Sequence, residues 1–246
     1  MSTAQSREPV FRIREQAPSE TVVAGFSSFG LAGLTAVDFL VDHLELEQTG
    51  HVAADQLPSI TPFEAGTPRH HSRFFSRPDL DLTVFVNELF LPAWAAGPFA
   101  DALLAWTETN DVEEIAILSG VPFAHGPDEH ATFYVATEDY QARRLDGVDV
   151  DPMREGFLDG VNASLMSEGM DSSLRTGLFV TPVHAQVPDV EAAIRLIDAF
   201  ERVYGFDVDS GPLEAFAREV EQYYRELSTR LADVEEQHVP EDRMYM

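Results

Sequence analysis

The chain lacks two residue types altogether, cysteine and lysine, and each absence removes a group of functions. Without cysteine there is no thiol nucleophile, no disulfide framework and no cysteine-ligated zinc site. All 16 basic residues are arginine, so the chain has no P-loop lysine, no Schiff-base lysine and no anchor for pyridoxal phosphate. The composition therefore excludes several large classes of enzyme and metalloprotein.

Long apolar runs are absent as well. No run reaches the ~18 residues of a transmembrane helix, and residues 1–5 show no signal-peptide core. The absence of disulfides fits a reducing compartment. We expect a cytoplasmic protein that does not bind or cross a membrane.

Positive charge is scarce. The chain has 43 acidic and 16 basic residues, which gives a net charge of −27. Such a chain is not expected to bind nucleic acid, because that binding relies on basic contacts to phosphates. An acidic surface without lysine is typical of a salt-loaded cytoplasm, where repulsion between carboxylates is screened. The charge pattern thus predicts a halophilic protein.

The stretch from Thr21 to Leu34 is the most informative part of the chain. Its apolar start predicts a strand buried on both faces, and apolar residues at helical spacing follow it. Gly25, Gly30 and Gly33 lie in the turn between strand and helix. A glycine turn before a helix can bind phosphate, but the spacing differs from the dinucleotide and P-loop patterns. Close packing of the helix on the sheet is the favoured interpretation.

Strands alternate with helices along most of the chain, which predicts an α/β fold with a mainly parallel sheet. We assign residues 1–206 to this core domain, 207–237 to a C-terminal helix and 238–246 to a flexible tail. Leu213, Val220, Leu227 and Val234 are spaced by seven residues in the helix, as in a coiled-coil seam. The seam either packs on its own domain or contributes to a subunit interface.

Two polar residues follow buried strands, where α/β enzymes place catalytic groups. These are Glu88 and Ser119, and with Gly30 they define a possible pocket. Neither belongs to a nucleophile elbow or to a visible triad, so caps of strand-to-helix turns are the favoured interpretation. His125 and His130 flank two acidic residues and form a possible cation cluster, although a solvated loop is favoured. We predict no catalytic residue, no metal and no cofactor.

The last three residues, Met244, Tyr245 and Met246, form a hydrophobic–tyrosine–any ending. With 6 tyrosines and 44% hydrophobic residues in the chain, chance produces such an ending in roughly 1% of sequences. Proteasome activators insert this kind of ending into pockets of the 20S α-ring. We therefore predict that these three residues bind a protein partner.

The order of several segments resembles the proteasome-assembly-chaperone family, in particular its archaeal members. The segments that carry the resemblance, over about residues 20–236, are 25–34, 87–88, 94–110, 118–122, 156–160 and 189–193. The resemblance implies a three-layer α/β/α core, phosphorylase- and hydrolase-like, with a C-terminal helical extension. It also implies homo-oligomers, no established catalysis, and a tail that binds the 20S proteasome α-ring. Some relatives are labelled ATP-grasp-like, but this chain lacks the lysines that such ligases use.

These observations lead to a functional prediction with two alternatives. The chain is expected to be a proteasome assembly chaperone or an ATP-independent proteasome activator that docks its tail into the α-ring. The first alternative is a small-molecule hydrolase or transferase that uses the pocket near Gly30, Glu88 and Ser119. The second is an oligomer with only a structural role. Truncation of the tail separates the first prediction from the enzyme, because only the former needs Met244–Met246.

Overall fold

Most of the chain can be described in the computed structural model, namely residues 8–15, 17–77, 79–122, 130–184 and 188–218. The chain divides into two units, residues 1–209 and 210–246. In the second unit, residues 211–218 are helical. Most of the predicted seam and the tail lie outside the described residues, so the boundaries at 206 and 237 stay predictions.

One large sheet organises the first unit. In the described part of the chain it has nine strands in the order β1-β3-β6-β7-β2-β8-β11-β9-β10, and β4 and β5 form a separate hairpin. The strands are β1 (Val10–Arg14), β2 (Thr21–Phe26), β3 (Glu47–Asp55), β4 (Phe63–Glu64), β5 (Thr67–Pro68), β6 (Ser72–Ser76), β7 (Thr83–Asn87), β8 (Glu114–Val121), β9 (Phe133–Ala136), β10 (Asp151–Pro152) and β11 (Arg175–Pro182).

The centre of the sheet is parallel, as predicted. Strands β7, β2, β8 and β11 run in the same direction and pair in register, for example Val23 with Ala116. Every residue of β2 and β7 is buried. A strand covered on both faces needs this continuous apolar composition, which explains why the sequence identified these strands.

The description "mainly parallel" is wrong for the sheet as a whole. β1, β3 and β6 pair antiparallel and join β7 antiparallel, and β9 pairs antiparallel with β11. The sheet is therefore mixed. Periodicity reports which faces of a strand are buried but not the direction in which the strand runs. β1 lies at one edge of the sheet and β10 at the other.

Five α-helices are described in the first unit, of which four lie between strands and the last follows β11. They are α1 (Ala32–His43), α2 (Ala93–Thr109), α3 (Glu138–Tyr140, continued by a π-helical turn at Gln141–Leu145), α4 (Gly160–Asp171) and α5 (Val190–Tyr204). α1 packs against α5, and α2 packs against α4. No described helix is long and apolar enough to span a bilayer.

Both ends of α5 are capped by residues suited to the position. The side chain of Asp189 accepts a hydrogen bond from the backbone N–H of Ala192, and Gly205 ends the helix with φ of 74°. A carboxylate at the start of a helix satisfies a free N–H group, and glycine adopts the left-handed end without strain.

α1 lies unusually close to the sheet because of its glycine. A Cβ atom on Gly33 would lie 1.9 Å from the carbonyl oxygen of Leu118 in β8. On the strand side, a Cβ on Gly25 would lie 2.4 Å from a methyl group of Val37. These contacts confirm the packing role predicted for Gly33, and they place Gly25 on the side of the sheet that α1 covers.

Candidate functional site

The predicted partner-binding residues Met244, Tyr245 and Met246 lie outside the described residues. So does His125 of the predicted cation cluster, whereas His130 is described. Among the residues with described positions, no group of three or more histidine or acidic side chains is arranged to hold a metal ion.

Glu88 follows β7 and holds two arginines of the neighbouring strand and loop. Both of its carboxylate oxygens accept hydrogen bonds from Arg69, at 2.5 and 3.0 Å, and one also accepts from Arg73 at 3.2 Å. Arg73 approaches Asp38 of α1 to 4.0 Å, so Glu88 lies on the α1 side of the sheet. A forked pair between arginine and carboxylate is among the stronger side-chain interactions, and Glu88 serves here as its anchor.

A chain of hydrogen bonds fixes the residues next to Glu88. Ser72 Oγ donates to Asn87 Oδ1 at 2.6 Å, and Asn87 Nδ2 donates to the Leu89 carbonyl oxygen at 2.7 Å. Because Ser72 has a single hydroxyl proton, its bond of 2.6 Å with His71 is donated by the Nδ1–H of that histidine. The backbone N–H of Glu88 donates to the His71 carbonyl oxygen at 2.8 Å. The end of β7 is therefore rigidly held.

Ser119 lies on the other side of the sheet. Its side chain is buried in β8, and its Oγ accepts a hydrogen bond from Asn162 Nδ2 of α4 at 3.0 Å. Alternate residues of a strand point to opposite faces, and Leu118 is the neighbour that contacts α1. Ser119 therefore connects β8 to α4 and does not approach Glu88.

Gly30 is closed off by its neighbours. It has φ of 64°, and a Cβ at this position would lie 2.9 Å from that of Val183. Its carbonyl oxygen accepts the backbone N–H of Asp189 at 2.8 Å. The predicted grouping of Gly30, Glu88 and Ser119 is thus corrected, because the structure separates Glu88 and Ser119 by the thickness of the sheet.

A histidine–aspartate contact that no sequence pattern indicated lies beside Gly30. Asp189 Oδ2 accepts the backbone N–H and contacts the Nδ1 of His184, both at 2.9 Å, and Oδ1 accepts from Ala192. Burial alone would raise the pKa of Asp189, but the hydrogen bonds from His184 and Ala192 hold that pKa below its ordinary value. The carboxylate therefore ties His184, which follows β11, to the first turn of α5.

Several exposed aromatic side chains lie at the carboxyl end of the parallel strands, and besides Phe63 of the β4–β5 hairpin there are four of them. Phe29 follows β2, Phe90 and Trp94 lie around the start of α2, and Phe157 precedes α4. Their exposed fractions are 54%, 69%, 57% and 104% respectively. Exposed apolar groups that cluster at one end of a molecule often mark an interaction surface. We call these four residues the aromatic end.

Comparison with known proteins identifies the family. None of the curated proteins matches the sequence, but the model of the PAC2 family matches residues 22–228. This match includes most of the chain. The protein therefore belongs to the PAC2 family.

Solved structures share the fold at low sequence identity. PbaA of Pyrococcus furiosus, an archaeal homolog of proteasome-assembly chaperone, aligns with a TM-score of 0.82 and 18% identity over 94% of this chain and 96% of its own. PbaB of the same organism, an archaeal proteasome activator, aligns with a TM-score of 0.74 and 18% identity over 90% and 99%. A PAC2 family protein of Streptomyces avermitilis aligns with a TM-score of 0.64 and 16% identity over 84% and 95%. The chain thus has the mixed α/β fold of these proteins over nearly their whole lengths.

Proposed function

We propose that the protein is a proteasome assembly chaperone or an ATP-independent proteasome activator that docks its C-terminal tail into the α-ring of the 20S proteasome. Membership of the PAC2 family is the observation that carries this proposal. The similarity of fold to PbaA and PbaB supports it, and so does the Met244-Tyr245-Met246 ending. The proposed role is not enzymatic. The opposite orientations of Glu88 and Ser119 leave the hydrolase or transferase alternative without support.

The chemistry of the tail suits capture by a preformed pocket. Met244 can fill an apolar niche, which stabilises a complex by ~1–3 kcal/mol. Tyr245 adds a flat ring with a hydroxyl group that can find a partner, and the terminal carboxylate can pair with a basic group of the ring. Pro240 opposes a helix at the base of the tail.

Variants of the last three residues test the proposal. Tyr245→Ala, or deletion of residues 244–246, is expected to abolish co-elution with 20S proteasome in size-exclusion chromatography. Met246→Ala serves as the matched control, because the last position of the motif accepts any residue and keeps its carboxylate. Full binding of 20S proteasome by the Tyr245→Ala protein would contradict the tail proposal. Equal loss of binding by Tyr245→Ala and Met246→Ala would contradict it as well.

Self-association would make such a tail more effective, since several tails on one oligomer raise the effective concentration of each. The aromatic end supports a contact between copies of the chain. At ~150–250 Å² for each ring, its exposed fractions correspond to an apolar area on the order of 600 Å². A standard interface covers about 800 Å² per partner, and burial of these rings would contribute part of the contact proposed between copies.

Paired substitutions at the aromatic end test this contact. Phe90→Asp with Phe157→Asp is expected to reduce the oligomer mass measured by light scattering, because each ring is exchanged for a charge that must remain hydrated. Met170→Asp is the control, since Met170 is 67% exposed near the other end of α4. An unchanged mass in the double variant would show that the interface lies elsewhere.

The remaining parts of the proposal concern the source and the architecture. The protein is cytoplasmic and comes from a halophilic archaeon, with residues 1–206 as a three-layer α/β/α core, 207–237 as a C-terminal helical extension and 238–246 as the tail. Contacts of α1 and α4 with the sheet support the layers. Lowering KCl from about 3 M to 0.1 M should lower the melting temperature, because repulsion then extends over ~10 Å. An unchanged melting temperature would contradict halophily.

A further inference from the structure

The β4–β5 hairpin forms a sheet of its own, apart from the nine-stranded sheet. Each of its strands has two residues, and residues 63–68 are all exposed. Two exposed side chains in and next to the hairpin are large and apolar, namely Phe63, which is 73% exposed, and Ile60, which is 42% exposed. A two-stranded hairpin is only marginally stable unless it packs against another surface. Contact with a further surface would therefore stabilise this hairpin.

A cavity of about 490 Å³ lies beside β3, where the chain enters and leaves the hairpin. Val52, Leu57 and Leu89 provide much of its apolar lining, and Ile60 also lines it. Phe63 does not belong to the lining, although it lies in the adjoining hairpin. Sites for small molecules usually have volumes of ~300–1,000 Å³, so this cavity is large enough to admit an aromatic side chain.

The hairpin and the cavity contain few carboxylates. None of the described residues that line the cavity is acidic, and Glu64 is the one acidic residue of the segment 56–71. Arg69, which lines the cavity, is paired with Glu88. The whole chain has a net charge of −27, and such a charge opposes contact between copies. The centres of protein interfaces contain few charged and many aromatic residues, so a second copy can approach this part of the surface with little repulsion.

The hairpin and the cavity border the aromatic end. The strand after the hairpin, β6, pairs antiparallel with β7 and places Ser72 opposite Asn87, so the hairpin lies at the carboxyl end of the parallel strands. Leu89 lines the cavity, and the next residue in the chain, Phe90, belongs to the aromatic end. Phe63 and the cavity therefore extend the surface that is proposed above as the contact between copies.

We propose that two copies of the chain pair about a two-fold axis, each placing the side chain of Phe63 in the cavity of the other copy. The exposed phenylalanine and the cavity lie side by side on one chain. A two-fold axis brings such a surface against itself and makes the same contact twice, whereas a head-to-tail assembly would need the two parts on different surfaces. In the cavity Phe63 packs against Val52, Leu57 and Leu89. This pairing rests on the self-association proposed above and names the residues that make it.

Cross-linking between two single-cysteine proteins tests the pairing, because the chain has no cysteine of its own. Tagged Phe63→Cys is mixed with untagged Leu57→Cys at high KCl, which screens the net charge, and a short bismaleimide is added. We expect severalfold more covalent heterodimer than from Phe63→Cys mixed with Met170→Cys, whose position is 67% exposed near the other end of α4. Equal yields would overturn the proposal. A link within one chain in the double variant Phe63→Cys/Leu57→Cys would overturn it too, because the hairpin would then cover its own cavity.

Dilution experiments separate this inference from the broader proposal of self-association. Phe63→Ala should raise the Kd between copies by about tenfold or more, because an aromatic side chain buried in a pocket often dominates an interface. Thr67→Ala is the matched control, since Thr67 is also exposed in the hairpin, and should change the Kd by less than about twofold. Light scattering over a dilution series measures both. Unchanged affinity in Phe63→Ala would overturn this inference and leave self-association intact, whereas a wild-type protein that stays monomeric would overturn both.

Discussion

In the parallel centre of the sheet every residue of β2 and β7 is buried, whereas in β3 of the antiparallel part only Gly50 and Val52 are buried. The centre is held by close apolar packing between strands and helices. The antiparallel part is held by the ion pairs of Glu88 and leaves a cavity with charged walls. Close packing makes the parallel centre a rigid scaffold. The antiparallel part is less densely packed, and its polar groups can bind other molecules.

The packing of α1 should be the most sensitive feature of the parallel centre. Gly33→Ala is expected to destabilise the protein by about 3 kcal/mol, because a methyl group would collide with the Leu118 carbonyl oxygen. Gly156→Ala is the control, since the nearest atom to a Cβ there is 3.9 Å away. Its effect should stay within about 0.5 kcal/mol. Urea unfolding of both variants provides the measurement, and equal stability would contradict the account of close packing.

Two glutamates allow a matched comparison of the two regions. Glu114 of β8 is 1% exposed and pairs with Arg144 at 2.7 Å, whereas the side chain of Glu88 is 22% exposed. Glu114→Gln is expected to reduce the free energy of unfolding by about 3 kcal/mol, because an arginine then loses its buried partner. Glu88→Gln should cost about 1.5 kcal/mol, since water compensates part of the loss. A larger loss of unfolding free energy in Glu88→Gln than in Glu114→Gln, measured by denaturant unfolding, would contradict the difference drawn between the two regions.

The hydrogen bonds of Asp189 to His184 and Ala192 should give a smaller effect that depends on pH. Asp189→Ala is expected to cost about 1 kcal/mol at neutral pH through loss of the cap. Because the native pKa of Asp189 is lowered, its stabilising effect is complete above the ordinary value of 3.8 and declines as the pH falls through the native pKa. The difference in stability between wild type and variant, measured by urea unfolding from pH 7 to pH 3, should therefore shrink only in acid. A difference independent of pH would argue against this role.

Elements whose signals are local could be predicted from the sequence. The strand and helix of residues 21–34 and the close packing of that helix on the sheet were predicted, since each depends on neighbouring residues in the chain. The antiparallel pairing of β3 and β6 could not be predicted, because hydrophobic alternation does not report strand direction. The prediction that Gly30, Glu88 and Ser119 share one pocket was wrong, because the face of the sheet to which a strand residue points depends on register.

The cavity beside β3 had no signal in the sequence. Its lining combines residues 52–61 with residues 68–71 and Leu89, and only the fold brings these segments together. No sequence pattern connects His70 with His51, whose rings stack in the fold. The contact of His184 with Asp189 was not predicted, although the two residues are only 5 positions apart in the sequence.

The most direct test of the central claim is a photo-crosslink from the tail. The reactive residue benzoylphenylalanine at position 245 keeps an aromatic ring in place of Tyr245, and irradiation with purified 20S proteasome captures whatever lies next to it. The account predicts crosslinks to α-subunits, at residues that line the pockets between neighbouring α-subunits, with loss of the crosslink when excess tail peptide is present. Crosslinks confined to β-subunits, or none despite formation of a complex, would contradict it.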